Sequence, residues 1–351
     1  MDRKVIHLID AQTRQDMLDQ MLAVRGANER VISLGSPPAY RRLAEVRVES
    51  LHCPMGVKDW AWRRLAKRLP AGAIVHAWSR ELLSPASQAA RRVGGGVVCS
   101  LPHLPTGCAL EQMPWEVGQF RHCLTVPTER ACEELVRLRV DARRVFVLPP
   151  AVRPAPAAAC RQSVREALGF SPEEIVILAP AEMLRGAGHD WACWAHAICR
   201  EIQDRGRLIL PGRHRRESRA RFFANTTGFG HEVFFTGDAF GREELLAAAD
   251  VAAFLYERDM GLTAIAEAMA AGLAILASTT PDVAAVCENE TTALLTQPGS
   301  PRSAAADLLR LIEDAALRTS LGETGKMYAR EHFPAAVVRR QLERIYATFG
   351  A

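Results

Sequence analysis

Short apolar runs rich in β-branched residues alternate with longer helix-forming stretches along the whole 351-residue chain, and this alternation limits the fold more than any other feature. It implies parallel sheets covered by helices on both faces. In the first half the strand candidates are Val5–Ile9, Val31–Leu34, Val46–Ser50, Ile74–Ala77, Gly96–Ser100, Cys123–Val126 and Val145–Leu148. Helical stretches lie between them at Arg14–Arg25, Val57–Leu69, Glu81–Arg92 and Thr128–Arg139, the last with Thr128 as a good N-cap.

The segment Pro149–Ala159 reads PPAVRPAPAAA, and its prolines rule out a helix or a central strand, so it is a linker. The alternation then restarts with strands at Ile175–Ala179, Leu208–Leu210, Val233–Phe235, Val251–Leu255, Ala274–Ala277 and Ala293–Thr296. Helices are expected at Asp190–Asp204, Glu243–Ala249 and Thr263–Ala271, then at Ser303–Asp314, Leu317–Glu331 and Ala335–Thr348. The organisation this predicts is an N-terminal domain over 1–149, a linker over 150–160 and a C-terminal domain over 161–333. A final helix over 334–351 packs back towards the N-terminal domain. Two such domains create a cleft lined by the carboxyl ends of strands, where ligands of open parallel sheets sit.

Hydrophobic residues make up 48% of the chain, enough for two cores, and the net charge of +4 lacks the large basic excess of a nucleic-acid binder. Asp2, Arg3 and Lys4 lead straight into the first strand, which speaks against a secretory signal, and no apolar run approaches membrane-spanning length. The nine cysteines form no C-x-x-C pair and read as reduced thiols of a cytoplasmic protein. Cys193 and Cys199, with His189 or His196 nearby, match no familiar ligand spacing, so no metal site is expected.

Ala249–Ala277, ADVAAFLYERDMGLTAIAEAMAAGLAILA, is the most informative stretch. A strand ends in the charged loop Glu257, Arg258, Asp259; Gly261 permits a tight turn, and Thr263 can cap the next helix. The first turn of that helix offers backbone N–H groups and a positive dipole end to a diphosphate. Glu267 lies just inside it among small residues, where a carboxylate can accept hydrogen bonds from two sugar hydroxyls. A buried α/β unit, with Glu267 on an exposed helix edge and Asp259 as turn chemistry, fits the pattern equally well.

The segment DMGLTAIAEAMAAG resembles the signature of retaining family-4 glycosyltransferases, in which two Glu separated by seven residues precede A-M-A-x-G. Further segments resemble that family in family order: VIHLID, AIVHAWS, VDARRVFVLPPAV, GHDWACWAHAI, REELLAAADVAAFL and TALLTQPGSP. The resemblance implies a GT-B fold, two Rossmann-like parallel-sheet domains facing each other across a cleft, with a nucleotide diphosphate sugar bound as donor and no separate cofactor or metal. It implies Glu267 as the ribose ligand, Asp259 in the place of the first Glu, and Gly261, Leu262 and Thr263 as donors of N–H groups to the diphosphate.

The chain also departs from the family. Aligned on Gly188-His189-Asp190, Glu182 and Ala187 occupy the places of the family's phosphate-clamping Arg and Lys. Arg185 in the same loop is one substitute cation; Arg213, or the following Arg215 and Arg216, is another, unless GRHRRESRAR is simply a solvated helix face. No glycine pair follows the first strand, where the loop reads DAQTRQ. In CSLPHLP, Pro102 takes the place of a family His, which leaves His103 as the candidate acceptor-side catalytic contact and His76 as the second, or either as a structural histidine. Val57–Leu69 reads either as a basic, aromatic helix resting on an anionic membrane at the inner face or as an ordinary amphipathic helix packed on the sheet.

The activity implied is transfer of a sugar from the nucleotide diphosphate sugar to an acceptor (a glycan, a lipid-linked group or a small molecule) with retained anomeric configuration. Loss of the two clamp cations supports a second reading, a non-catalytic GT-B nucleotide-binding or scaffold protein. A GT-B sugar-nucleotide epimerase is a third.

Overall fold

The computed structural model describes residues 4–52, 58–113, 122–153, 160–212 and 217–350. The chain divides into two compact units, Met1–Ala151 with Ala335–Ala351, and Val152–Pro334.

The first unit runs β1 (Val5–Asp10), α1 (Gln15–Val24), β2 (Arg30–Leu34), β3 (Val48–Leu51), α2 (Lys58–Ala66), β4 (Ile74–Ala77), α3 (Leu83–Arg92), β5 (Gly96–Ser100), α4 (Cys108–Glu111), β6 (His122–Val126), α5 (Glu129–Arg137) and β7 (Val145–Val147). Its seven strands are all parallel, in the order β3-β2-β1-β4-β5-β6-β7. Every residue of β1, β4, β5 and β6 is buried, because apolar clusters lie on both faces of the sheet. The loop after β1 closes without a glycine pair: Asp10 accepts from the Gln12 N–H and the Thr13 hydroxyl, and that hydroxyl accepts from the Asp10 N–H. The strand expected at Val46–Ser50 starts two residues later and ends one later, at Val48–Leu51, after a 3₁₀ turn at Arg41–Glu45.

The second unit runs α6 (Cys160–Ala167), β8 (Ile175–Leu178), α7 (His189–Arg200), β9 (Gly206–Pro211), α8 (Glu217–Thr226), β10 (Val233–Gly237), α9 (Arg242–Ala248), β11 (Val251–Phe254), α10 (Thr263–Ala271), β12 (Ala274–Ser278), α11 (Pro281–Ala284), β13 (Leu294–Thr296), α12 (Pro301–Glu313) and α13 (Ala315–His332). The six parallel strands follow the order β10-β9-β8-β11-β12-β13, again between two apolar clusters. At the end of α10, Gly272 takes the left-handed C-cap (φ 83°), and a side chain at the facing Gly322 of α13 would stand 2.3 Å from the Gly272 carbonyl oxygen. Helix α14 (Ala335–Ala347) then belongs to the first unit, where Val338, Leu342, Ile345 and Tyr346 are buried with Val5, Ile9 and Leu18.

Among the described residues no helix is long and apolar enough to cross a membrane. Of the basic segment Val57–Leu69, Val57 lies outside the described residues. Ala61, Leu65 and Leu69 are buried against the sheet, and Trp62 packs at the edge of that core beneath the guanidinium groups of Arg63 and Arg92, 5.4 and 5.3 Å from its ring centre. Arg63, Arg64, Lys67 and Arg68 point to solvent.

Candidate functional site

In the second unit the first strand, β8, has β9 on one side and β11 on the other, so the winding reverses between β8 and β11. The crevice at the carboxyl ends of these two strands is where an open sheet of this kind takes a ligand. Two loops define it: residues 179–188 after β8 and residues 255–262 after β11.

They are stitched together. The Glu257 N–H donates to the Gly186 carbonyl at 2.9 Å, and Arg258 donates to the Arg185 carbonyl at 3.0 Å. Gly188, at the N-cap of α7 with φ 77°, crosses so close to β11 that an added Cβ would stand 1.8 Å from the Leu255 carbonyl oxygen. Arg185 is exposed and lines a cavity of about 240 Å³ with Gly186, Gly188, Asp190, Arg219 and Glu257. Arg219 is paired with Asp190 at 2.6 Å, and Glu257 accepts from the Trp191 indole at 3.0 Å. Ala187 is buried, and Glu182 is half-buried. Arg213 lies outside the described residues, as do Arg215 and Arg216.

Past Asp259, Gly261 turns the chain with φ 109°, a conformation that favours glycine. Thr263 does not cap α10. It is the first helical residue and is buried, while Leu262 holds the N-cap position and forms no side-chain capping bond. The Leu262 side chain therefore leaves the first-turn N–H groups uncapped from the N-cap position.

Glu267, one turn further in, is not on an exposed edge. Its Oε2 is 2.5 Å from Nε of Arg242, the side chains being 10% and 14% exposed. The same guanidinium donates from Nη1 to the Pro180 carbonyl, just beyond β8, at 3.2 Å. Asp259 is anchored elsewhere: its Oδ1 accepts from the Asp282 N–H at 2.8 Å, in the first turn of α11 after β12. The two carboxylates thus share one loop-and-helix unit but have different partners.

Arg242 carried no role in the sequence reading. It opens α9, just after the Gly241 N-cap, and a cation at a helix N-terminus opposes the helix dipole. That mismatch was the available signal that its charge serves another group.

In the first unit, His103 is half-buried in the loop after β5, where its Nδ1–H donates to the Leu104 carbonyl at 2.8 Å. His76 is fully buried in β4, with Nδ1 bonded to the Tyr346 hydroxyl and Nε2 to the Ser100 hydroxyl, both at 2.7 Å, and its ring stacked on Trp78. Both ring nitrogens are spent on the core. The four residues weighed as metal ligands also face separate partners: His189 donates to the Ala181 carbonyl, His196 to Gly206, Cys193 to Ala220 and Cys199 to Ala305.

Two α/β units built on parallel sheets of seven and six strands are the arrangement of the GT-B fold. Residues 174–314, which hold all of this crevice, match the family model for glycosyl transferases group 1. Solved structures agree over nearly the full length. Anabaena HepE, in complex with UDP and glucose, is 15% identical with a TM-score of 0.84, covering 99% of this chain and 100% of its own. Sucrose-phosphate synthase from Thermosynechococcus elongatus is 17% identical with a TM-score of 0.76, covering 99% of each chain. WaaG, a glycosyltransferase involved in lipopolysaccharide biosynthesis, is 17% identical with a TM-score of 0.74, covering 97% of this chain and 99% of its own. No curated protein matches the chain in sequence.

Proposed function

We propose that the protein transfers a sugar from a nucleotide diphosphate sugar to an acceptor hydroxyl with retention at the anomeric carbon. The observation that carries this reading is Glu267, set one turn inside α10 at the switch crevice, beneath a helix N-terminus whose N-cap residue Leu262 forms no side-chain capping bond. HepE has been solved with UDP-glucose, and this chain shares its fold with a TM-score of 0.85 at 16% identity.

In this scheme Glu267 accepts from the ribose hydroxyls, and the N–H groups of Gly261, Leu262 and Thr263 receive the diphosphate. Arg185 supplies the cation that Glu182 and Ala187 do not, and Asp259 faces the donor sugar. The bond between the anomeric carbon and the diphosphate oxygen breaks, its electron pair leaving with the diphosphate. The acceptor oxygen bonds that carbon on the same face, and its proton passes to the departing diphosphate oxygen. The helix N–H groups and one arginine stabilise the leaving charge, so the scheme uses no metal ion.

A second reading, a GT-B protein that binds a nucleotide without turning it over, draws on Glu182 and Ala187 at the clamp positions and on the hold of Asp259 by the Asp282 N–H. Thermal-shift titration with nucleoside diphosphates and nucleotide sugars, followed by a turnover assay, tests both. A ligand at a hundred times its Kd should add about 2.7 kcal/mol of stability. We expect a shift with one donor, abolished in Glu267→Ala, and release of its nucleoside diphosphate when an acceptor is supplied. A shift without turnover selects the second reading, and no shift with any nucleotide sinks both.

A further inference from the structure

We propose that Arg242 is a positioning residue of the nucleotide subsite: it holds the Glu267 carboxylate in the orientation that receives the vicinal hydroxyls of a ribose. The inference rests on the reading of Glu267 as the ribose ligand and adds the group that makes that residue competent.

The geometry is a bridge across the switch crevice. Arg242 opens α9, Glu267 sits on α10, and Pro180 follows β8, so one guanidinium ties together three segments that meet at the ligand-binding end of the sheet. A guanidinium is a planar fork of five donors and can serve a carboxylate and a carbonyl at once in a fixed geometry; a lysine ammonium carries the same charge without that fork. A glutamate side chain has three rotatable torsions. Paired through Oε2 with the Arg242 guanidinium at 2.5 Å, an ion pair between two nearly buried side chains, it is restricted in rotamer and in carboxylate plane. Vicinal hydroxyls donate to a carboxylate in a bidentate way, so plane and rotamer decide whether both bonds form.

The placement of the charge supports the same role. An arginine at the first position of a helix sits against the positive end of the dipole. Its nearly buried side chain points to the carboxylate read as the ribose ligand. A simple pin between α9 and α10 would raise stability alike with and without ligand. A positioning residue also sets the preference for ribose over 2′-deoxyribose, because the 2′-hydroxyl is one of the two donors.

The test is isothermal titration of the full chain with UDP, GDP and ADP and with their 2′-deoxy counterparts. The proteins are the wild type, Glu267→Ala, Arg242→Gln and Arg242→Lys, with circular dichroism as the check on folding. Wild type should prefer the ribonucleotide by about tenfold or more, the worth of one hydrogen bond to a charged acceptor. Arg242→Gln should reduce the preference to less than about threefold, with Arg242→Lys in between. If Arg242→Gln does not fold, Arg242→Lys decides the matter. A folded Arg242 variant with the wild-type ribose preference overturns this inference alone. Unchanged ribose preference in Glu267→Ala overturns the assignment of Glu267, and absence of nucleotide binding by wild type overturns the function itself.

Discussion

Trp78 has only a donor to offer, so the His7 Nδ1 that receives it at 3.0 Å carries no proton, and the single ring proton of His7 sits on Nε2, which donates it to the Glu29 carboxylate in a hydrogen bond of 2.9 Å. Burial pushes His7 below its ordinary value against the pull of Glu29, and pushes His76 well below. Burial also costs Glu29 as an anion, but the hydrogen bonds from His7 and Arg339 outweigh it and hold that carboxyl below its usual range. His196, buried against the Gly206 carbonyl, falls to about 4. Folded values below the unfolded value of 6.5 mean that the unfolded chain takes up protons first as pH falls. The stability these histidines support is intact above about pH 6.5 and drains away towards pH 4. Urea melts at pH 7 and pH 5 should differ by about 2 kcal/mol less in His196→Gln than in wild type, for about 1.5 pH units of one proton's linkage. Gly188→Ala belongs to the same scale. Its Cβ would meet the Leu255 carbonyl at 1.8 Å with φ already at 77°, and a denaturant melt should show a loss of at least about 2 kcal/mol.

At the scale of elements, the latch at Asp250 has the most to say. Its carboxylate receives Arg161 at 2.5 Å, Arg165 at 3.1 Å and the Val176 N–H at 2.8 Å, fastening α6 to the amino ends of β8 and β11. Arg161 also caps α9 by donating to the carbonyls of Ala247, Ala248 and Ala249. Asp250→Ala leaves the buried Arg165 without its anion and should cost about 3–5 kcal/mol in equilibrium unfolding, and Asp250→Asn less. Helix α6 itself was not legible. CRQSVREA carries apolar residues only at Cys160, Val164 and Ala167, a helical spacing too short to stand out directly after the proline-rich segment, and its arginines find their anion 85 or more residues away. By contrast, the C-terminal end of α10 was legible to the residue, because a run of small helix formers stops at a glycine that a left-handed cap favours, whereas at its start Thr263 took the first helical position rather than the cap.

At the scale of the molecule, the last helix completes the core of the first unit. Val338, Leu342, Ile345 and Tyr346 are at most 4% exposed, Arg339 grips Glu29 with two bonds of 2.7 Å, and Phe349 fills the space left by the missing side chain of Gly96. Ending the chain after Pro334 would strip these contacts from β1, β4 and α1. We expect the truncated protein to bind a hydrophobic dye and to lose the earlier of any resolved unfolding transitions; an unchanged melt would contradict the packing described.

The alternation of runs with periods near 2 and 3.6 was enough to determine two parallel-sheet units, and the stretch from Asp259 to Gly272 was enough to mark where a ligand would be sought. These features are local: each depends on residues a few positions apart, and local order is what a sequence displays. What only the tertiary structure decided are the partners. Glu267 meets Arg242 because a crossover brings the start of α9 beside the second turn of α10, Asp259 meets the Asp282 N–H 23 residues on, and His76 meets Tyr346 across 270 residues. Nothing in the neighbourhood of either member announces such a pair, since the pair exists only once the strands have taken their order and the helices have closed over them.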